Sequence, residues 1–392
     1  FEGRTHAAAL AEFRAAGGRV SPTVPARTDL IVDGILGIGG RPGLPLRASQ
    51  LLAQLPTVTT VAVDVPSGVE VDTGAAVAEA VRADVTVTFG CRKPALAVGG
   101  AAALAGVVEC VDIGLEPFLP RPYARIAELT DVAAWWPHAR PQDDKYTRGV
   151  VGVCAGSFRY PGAGELATAG ALAGPAGYIR YAGTASRHIR YSYPEVVTKD
   201  RVADAGRVQA WVAGPGMGTD SQAESQLRSA MALPVPMCLD ADALTLIADD
   251  PSSLAERLSP SVITPHDREF SRLAGHAPGN DRVADALELA LRMDCVVLLK
   301  GYKTVIANPI GDVWLNPTGD PALATAGSGD VLAGLLGAML AAGMPPERAA
   351  MSAAFLHGMA GREAATRGPV TASVVARVLP EVIGRAIGDG TR

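Results

Sequence analysis

Five apolar runs in the last two-thirds of the chain each stop at small or polar residues. Val150–Cys154 runs into Ala155-Gly-Ser, and Gln209-Ala-Trp-Val-Ala into Gly214-Pro-Gly-Met-Gly218. Met237-Cys-Leu meets Asp240-Ala-Asp242, Ser261-Val-Ile meets Thr264-Pro-His266, and Cys295–Leu299 ends on Lys300. Short apolar runs bounded by turn residues, with helical segments such as Glu165–Leu172 between them, predict buried parallel strands. A doubly wound α/β sheet carries its functional groups at the carboxyl ends of such strands. One active edge is therefore expected, and the polar residues named above lie on it.

The stretch from Asn316 to Asp330 serves the same edge. Asn316–Pro321 is turn chemistry. Thr325-Ala-Gly-Ser-Gly-Asp330 is small enough to bring backbone N–H groups close to a ligand. Val331, Leu332, Leu335, Leu336, Met339 and Leu340 then repeat at helical spacing, which predicts a helix with one apolar face. A Gly-rich loop entering a helix N-terminus is an anion site. Asp330 at its mouth would repel a phosphate, so it reads as a base or as the partner of a metal or proton. It also reads as a plain N-cap, and the loop alone leaves both open.

The first third has the same α/β alternation. Asp29–Gly37 reads as a buried strand, followed by Val58–Val65, Ala83–Phe89 and Gly106–Ile113, with helices at Ala7–Ala16 and Ser49–Leu55. Leu115–Pro141 is Pro-rich, with a short helix at Thr130–Trp136, and predicts the domain boundary. The expected division is 1–115, a linker 116–140, and 141–392. The chain begins at Phe1 and reads as starting partway through a domain.

Composition narrows the function. A net charge of −5 gives no basic footprint for nucleic acid. No run of 18 apolar residues occurs, so no membrane role is expected. Five scattered cysteines without Cys-x-x-Cys read as reduced core residues of a cytoplasmic protein. Only five lysines occur, at 93, 145, 199, 300 and 303, so two in Lys300-Gly-Tyr-Lys303 call for a reason. Lys300 either snorkels or, with Lys303 and Thr304, meets a phosphate, which is the preferred reading. Asp240 and Asp242 can hold Mg²⁺ through water or cap a helix; capping is favoured for Asp240, and the readings stand level for Asp242. His266 and Glu269 share a helix face, and His266 is expected to touch ligand. Neither Gly214–Gly218 nor Gly37–Gly43 has dinucleotide-fold spacing, though the latter can wrap a phosphate, and no P-loop occurs.

Taken together, Lys145-Tyr-Thr-Arg-Gly149, Ala155-Gly-Ser with Pro161-Gly-Ala163, Gly214–Gly218, Asp240-Ala-Asp-Ala-Leu244, Thr264-Pro-His266 and Gly327-Ser-Gly-Asp330 resemble, in order, the ADP/ATP-dependent NAD(P)H-hydrate dehydratases. The resemblance runs from about Pro141 to the C-terminus and implies a ribokinase-like fold. It implies repair of NADHX and NADPHX: a nucleotide phosphorylates the C6 hydroxyl, and phosphate then leaves. It implies Ala163, Gly216, His266 and Asp330 at the hydrate, and Lys300, Gly301, Tyr302, Lys303, Thr304 and Gly329 at the nucleotide. It further implies Asp330 as the base, ADP or ATP as donor, and Mg²⁺.

The first third is similar to the C-terminal part of an NAD(P)H-hydrate epimerase. That implies a partial Rossmann-like layer, K⁺ at Asp33 and Ser67, and hydrate at Gly37, Ile38, Gly39, Gly40, Arg41, Pro42, Gly43 and Asp64. The epimerase family's Asn-Asn-Gly-Gly-Asp-Gly type loop has no counterpart before Asp33. Either the intact protein has residues beyond this sequence or this half is inactive. The competing expectations are a ribokinase-like kinase acting on a vitamin precursor or sugar, and a non-catalytic N-terminal binding module. Thr-Pro-His, where such kinases carry Thr-Pro-Asn, speaks against the first. The expected assembly is a homo-oligomer.

Overall fold

A computed structural model describes residues 6–25, 27–75 and 79–390 of the chain; Phe1 lies outside them. The first part holds α1 (Ala7–Ala15), β1 (Ile31–Asp33), α2 (Leu46–Leu52), β2 (Thr60–Val63), β3 (Val85–Phe89) and β4 (Val107–Val111). The four strands form one parallel sheet in the order β1-β2-β3-β4. Its register puts Asp33, Ala62, Thr86 and Thr88 on one buried face, above a small core that includes Val65, Val71, Leu96 and Ala101. Val32, Val63, Phe89, Val107 and Val111 on the other face are exposed. The buried strand expected at Asp29–Gly37 is thus corrected. β1 is a three-residue edge strand, and its Val32 is 62% exposed, because alternation sends it to the open face.

The second part is larger. Its elements in chain order are β5 (Arg125–Ile126), α3 (Leu129–Trp135), β6 (Val150–Cys154), α4 (Pro161–Ala173), β7 (Tyr178–Ala182), α5 (Ser186–Ser192), β8 (Val197–Lys199), β9 (Ala210–Ala213), α6 (Ser221–Met231), β10 (Met237–Leu239), α7 (Asp242–Asp249) and α8 (Ser252–Ala255). They continue with β11 (Ser261–Ile263), α9 (Asp267–Ala274), α10 (Arg282–Met293), β12 (Val296–Leu299), β13 (Val305–Ala307), β14 (Val313–Leu315), α11 (Ser328–Ala341), α12 (Pro346–Thr366) and α13 (Ala372–Gly390). The sheet order is β5-β14-β13-β12-β11-β10-β9-β6-β7-β8. From β12 to β8 every neighbour is parallel, and β13 and β14 attach as an antiparallel hairpin.

Both faces of this sheet are covered. Val151, Val153, Val212, Val262 and Leu298 point to one apolar cluster with residues of α4, α11, α12 and α13. Trp211, Leu239, Ile263, Val297 and Leu299 point to the other, with residues of α6, α7, α9 and α10. That two-sided burial is why these strands read as continuous apolar runs. Val98 of the first part joins the second cluster.

Two expectations change here. β5 and the whole of α3 fall in the stretch read as linker, and β5 pairs with β14, so that stretch is partly built into the second sheet. Helix α11 has no single apolar face: Val331 to Ala341 are all buried. Glycines make this possible. A methyl on Gly334 would lie 1.9 Å from the Ala167 carbonyl oxygen, and one on Gly170 would lie 2.0 Å from that of Val331, so α4 and α11 meet backbone to backbone.

Candidate active site

Asp240, His266 and Lys300 directly follow, or nearly follow, β10, β11 and β12, which are neighbours in the sheet. Their side chains therefore emerge along one edge. The Asp240 N–H donates to Ala213 O (3.1 Å) and the Lys300 N–H to Pro265 O (2.9 Å), which extends the strand register past the strand ends. Lys300 Nζ then lies 2.7 Å from Asp240 Oδ1 and 3.6 Å from Glu269 Oε2. Asp240 is buried, and the Lys300 side chain keeps 20% exposure. Burial works against the ammonium, but the two carboxylates outweigh it and raise the Lys300 pKa.

The first turn of α11 closes over this pair. Gly327 adopts φ 85° and serves as N-cap, a conformation that favours glycine. A methyl on Gly329 would lie 3.5 Å from Lys300 Nζ and 3.7 Å from Asp240 Oδ2. Asp330 stands in the first turn, three residues past the cap, so the N-cap reading is corrected. Its pKa is pushed up to about 7, by burial first, then by the charge of Asp240, against the pull of Lys300; Asp242 and Glu269 add to the rise. A carboxyl group balanced near neutral pH beside helix N–H groups suits proton transfer.

Other expectations sort as follows. Asp240 caps nothing; its carboxylate is spent on Lys300, and the N-cap of α7 is Ala241, which holds φ 49°. A non-glycine residue there is strained, as residues at functional sites often are. Asp242 opens α7 and accepts from the Gly218 N–H at 2.9 Å. Gly214 has φ 127°, and a methyl on it would lie 1.7 Å from Asp240 O. His266 is the N-cap of α9. Its Nδ1 accepts from Arg268 and Glu269 N–H (3.1 and 3.2 Å), and Glu269 accepts the His266 N–H (2.8 Å). His266 still faces outward, 48% exposed. Ala163, at the start of α4, and Gly216 come together: a methyl on Gly216 would lie 2.5 Å from Ala163 Cβ.

In the Lys300–Thr304 loop, Arg282 Nη2 donates to Lys300 O (2.9 Å), and Lys303 Nζ donates to Pro317 O (3.2 Å) while lying 4.7 Å from the Tyr302 ring centre. Thr304 is buried, and its hydroxyl donates to Gly301 O (3.3 Å). The Asn316–Pro321 turn is pinned to α12, with Asn316 Nδ2 on Ala354 O (3.0 Å) and Thr318 Oγ1 on Phe355 O (2.8 Å). His357 of α12 went unnoticed in the sequence. It is buried next to the Ser328 backbone, and burial lowers its pKa to about 4.

In the first part, Asp33 and Ser67 meet. Ser67 Oγ donates to Asp33 Oδ1 (2.6 Å), and the Ser67 N–H donates to Asp33 Oδ2 (2.7 Å). These are hard oxygen donors of the kind K⁺ takes. Asp64 has φ 71° and pairs with Lys93 (2.5 Å), which also donates to Thr88 Oγ1 (2.9 Å). Sequence reading missed Lys93, whose spacing from Asp64 carries no local signal. The Gly37–Gly43 loop is turn structure tied to Ser67-Gly68 through Gly43 N–H on Gly68 O (2.8 Å), with Ile38 and Arg41 exposed.

A family model described as NAD(P)H-hydrate dehydratase matches residues 151–383, and one described as YjeF-related protein N-terminus matches residues 2–95. The bifunctional NAD(P)H-hydrate repair enzyme Nnr of Mycobacterium tuberculosis (strain H37Rv) is 50% identical over 349 residues, covering 88% of this chain and 72% of that one. The chain belongs to the bifunctional NAD(P)H-hydrate repair enzymes. Among solved structures, an ADP/ATP-dependent NAD(P)H-hydrate dehydratase from Bacillus subtilis, co-crystallised with ATP and Mg²⁺, is 28% identical with a TM-score of 0.59. It covers 67% of this chain and 99% of its own. A ribokinase-like superfamily protein from Enterococcus faecalis has a TM-score of 0.60 at 22% identity, over 68% of this chain and 98% of that one, which shows the fold alone. The expected family and the expected ribokinase-like α/β architecture of this repair enzyme are thus borne out. No helix among the described residues is long and apolar enough to cross a membrane.

Proposed function

We propose that this chain restores damaged nicotinamide cofactors by nucleotide-dependent dehydration of (6S)-NADHX and NADPHX. The observation that carries the reading is Asp330, raised towards neutral pH on a helix N-terminus, beside a paired lysine at the strand edge. Asp330 takes the proton of the C6 hydroxyl as that oxygen attacks the terminal phosphoryl group of ADP or ATP. N–H groups of the 325–330 loop face the charge that develops on the phosphoryl oxygens. Lys300, with Gly301, Tyr302, Lys303, Thr304 and Gly329, holds the nucleotide. Ala163, Gly216 and His266 hold the hydrate. AMP or ADP is the leaving group of that transfer; phosphate then leaves C6, the adjacent ring carbon gives up a proton, and the ring double bond returns.

Mg²⁺ would neutralise phosphate charge. Among the described residues no group of three or more His, Cys, Asp or Glu is arranged to hold a metal ion, and Asp240 is already engaged by Lys300. The residues present fit a cation that arrives on the nucleotide rather than in a protein cage.

Residues 1–115 are assigned to epimerisation of the R and S hydrates, with K⁺ at Asp33 and Ser67 and the hydrate along Gly37–Gly43 and at Asp64. The pairing of Asp33 with Ser67 and the strained Asp64 support that reading. Residues 141–392 carry the dehydratase. The proposed setting is cytoplasmic and the assembly a homo-oligomer, with small molecules as the partners.

The test is Asp330→Asn. Turnover with hydrated NADH and ADP should fall by about 10²–10⁴-fold, with ADP affinity by calorimetry unchanged. Turnover near that of wild type would dismiss the assignment.

A further inference from the structure

Lys300 and Asp330 are accounted for by the proposed reaction; the buried carboxylate between them is not. Asp240 is 1% exposed. Its Oδ1 holds Lys300 Nζ at 2.7 Å, and its Oδ2 faces the Gly329 turn, 3.7 Å from where a Gly329 methyl would sit. The fold goes to some length to put it there. Gly214 must lack a side chain to pass Asp240 O, and Ala241 is held at φ 49° directly after it.

We propose that Asp240 is a positioning residue of the dehydratase site: one carboxylate oxygen holds the Lys300 ammonium and the other faces the α11 turn that carries Asp330, so that lysine and base are kept in one arrangement. The proposal rests on the reading of Asp330 as base. The charged and titratable groups facing Asp330 come from five places. They are Asp240 after β10, Asp242 on α7, Glu269 on α9, Lys300 after β12 and, at the Ser328 backbone of the same turn, His357 on α12. Leu166 of α4 and Ala372 of α13, which pack on Gly327, are apolar. Asp240 is the foremost charge raising the Asp330 pKa, and Lys300 is the group opposing it. Burial keeps both interactions from being screened away. One carboxylate thereby serves two ends: it keeps the phosphate-binding cation in place and keeps the base proton-hungry.

The sign follows directly. Removing the negative charge at 240 favours the ionised form of Asp330, so the acid limb of the pH–turnover profile must move down. With saturating ADP and hydrated NADH, wild type should show that limb near the Asp330 value of about 7. Asp240→Asn, folded by circular dichroism, should show it lower by about one to two pH units. A folded variant whose limb stays in place overturns the proposal. Should that variant not fold, Lys300→Met and the double variant Asp240→Asn/Lys300→Met carry the same comparison. Carbon-13 NMR titration of the Asp330 carboxyl, assigned with Asp330→Asn, should read about one unit lower in the double variant, and equal values overturn the proposal. Failure of the underlying reading looks different: Asp330→Asn would itself remain active.

Discussion

The two sheets of this chain differ in what covers them. The ten-stranded sheet is buried on both faces, and its parallel strands are almost wholly apolar, as in Val296-Val-Leu-Leu299. The four-stranded sheet is parallel too, but only one face is buried. In Val85-Thr-Val-Thr-Phe89 it is the threonines that face inward: Thr86 donates to Ala105 O, and Thr88 to Asp64. Its valines look outward, and Val32 and Val107 exceed half exposure. Parallel sheets are usually covered on both sides. The lesson is that the same period-2 pattern marks a solvated face in an antiparallel sheet and an open apolar face here. The larger sheet carries the Asp240–Lys300 ion pair at its edge. The smaller one has its polar pairs, Asp33 with Ser67 and Asp64 with Lys93, above a modest core.

That contrast can be broken experimentally. Leu298→Ala, at a fully buried position of the large sheet, should cost about 2–5 kcal/mol by denaturant unfolding. A loss below about 1 kcal/mol would mean the large sheet is not packed as described. Lys300→Ala should weaken ADP binding by about tenfold to a hundredfold, the range of a charge-assisted contact, while hydrate binding changes less; unchanged ADP affinity by calorimetry would count against Lys300 as a nucleotide ligand.

A further effect concerns pH. The folded Asp330 pKa, about 7, lies above its ordinary value of 3.8. The folded state therefore holds a proton that the unfolded chain has released, and stability from this group is lost as pH rises from about 4 to about 7. Asp330→Asn removes that loss, so its melting temperature relative to wild type should climb across this window. A constant difference would refute the raised value. Smallest of all, Val107→Thr on the open face should change stability by no more than about 0.5 kcal/mol, and a larger loss would show that the valine face is covered in solution.

Much of this was legible in the sequence, for a physical reason. Strands buried on both faces leave long apolar runs, so β6, β9, β10, β11 and β12 were expected where they occur. β7, with Arg180 in its centre, and β8, β13 and β14 were not expected as strands. The Gly327–Asp330 turn and Lys300 were legible because glycine and lysine are conspicuous there. Asp240 was misjudged as a cap, since its partner is 60 residues away and only the sheet order brings them together. Lys93 escaped for the same reason, and the backbone strain at Ala241 and Asp64 has no signature in residue type.

The central claim is that a phosphoryl group passes through this site and does not stay on the product. Wild-type protein should be given hydrated NADH and ADP, with inorganic phosphate and the absorbance of reduced nicotinamide followed together. The account predicts that both rise in equal amounts and that neither rises without nucleotide. A stable phosphorylated product, with no recovery of reduced nicotinamide, would contradict it.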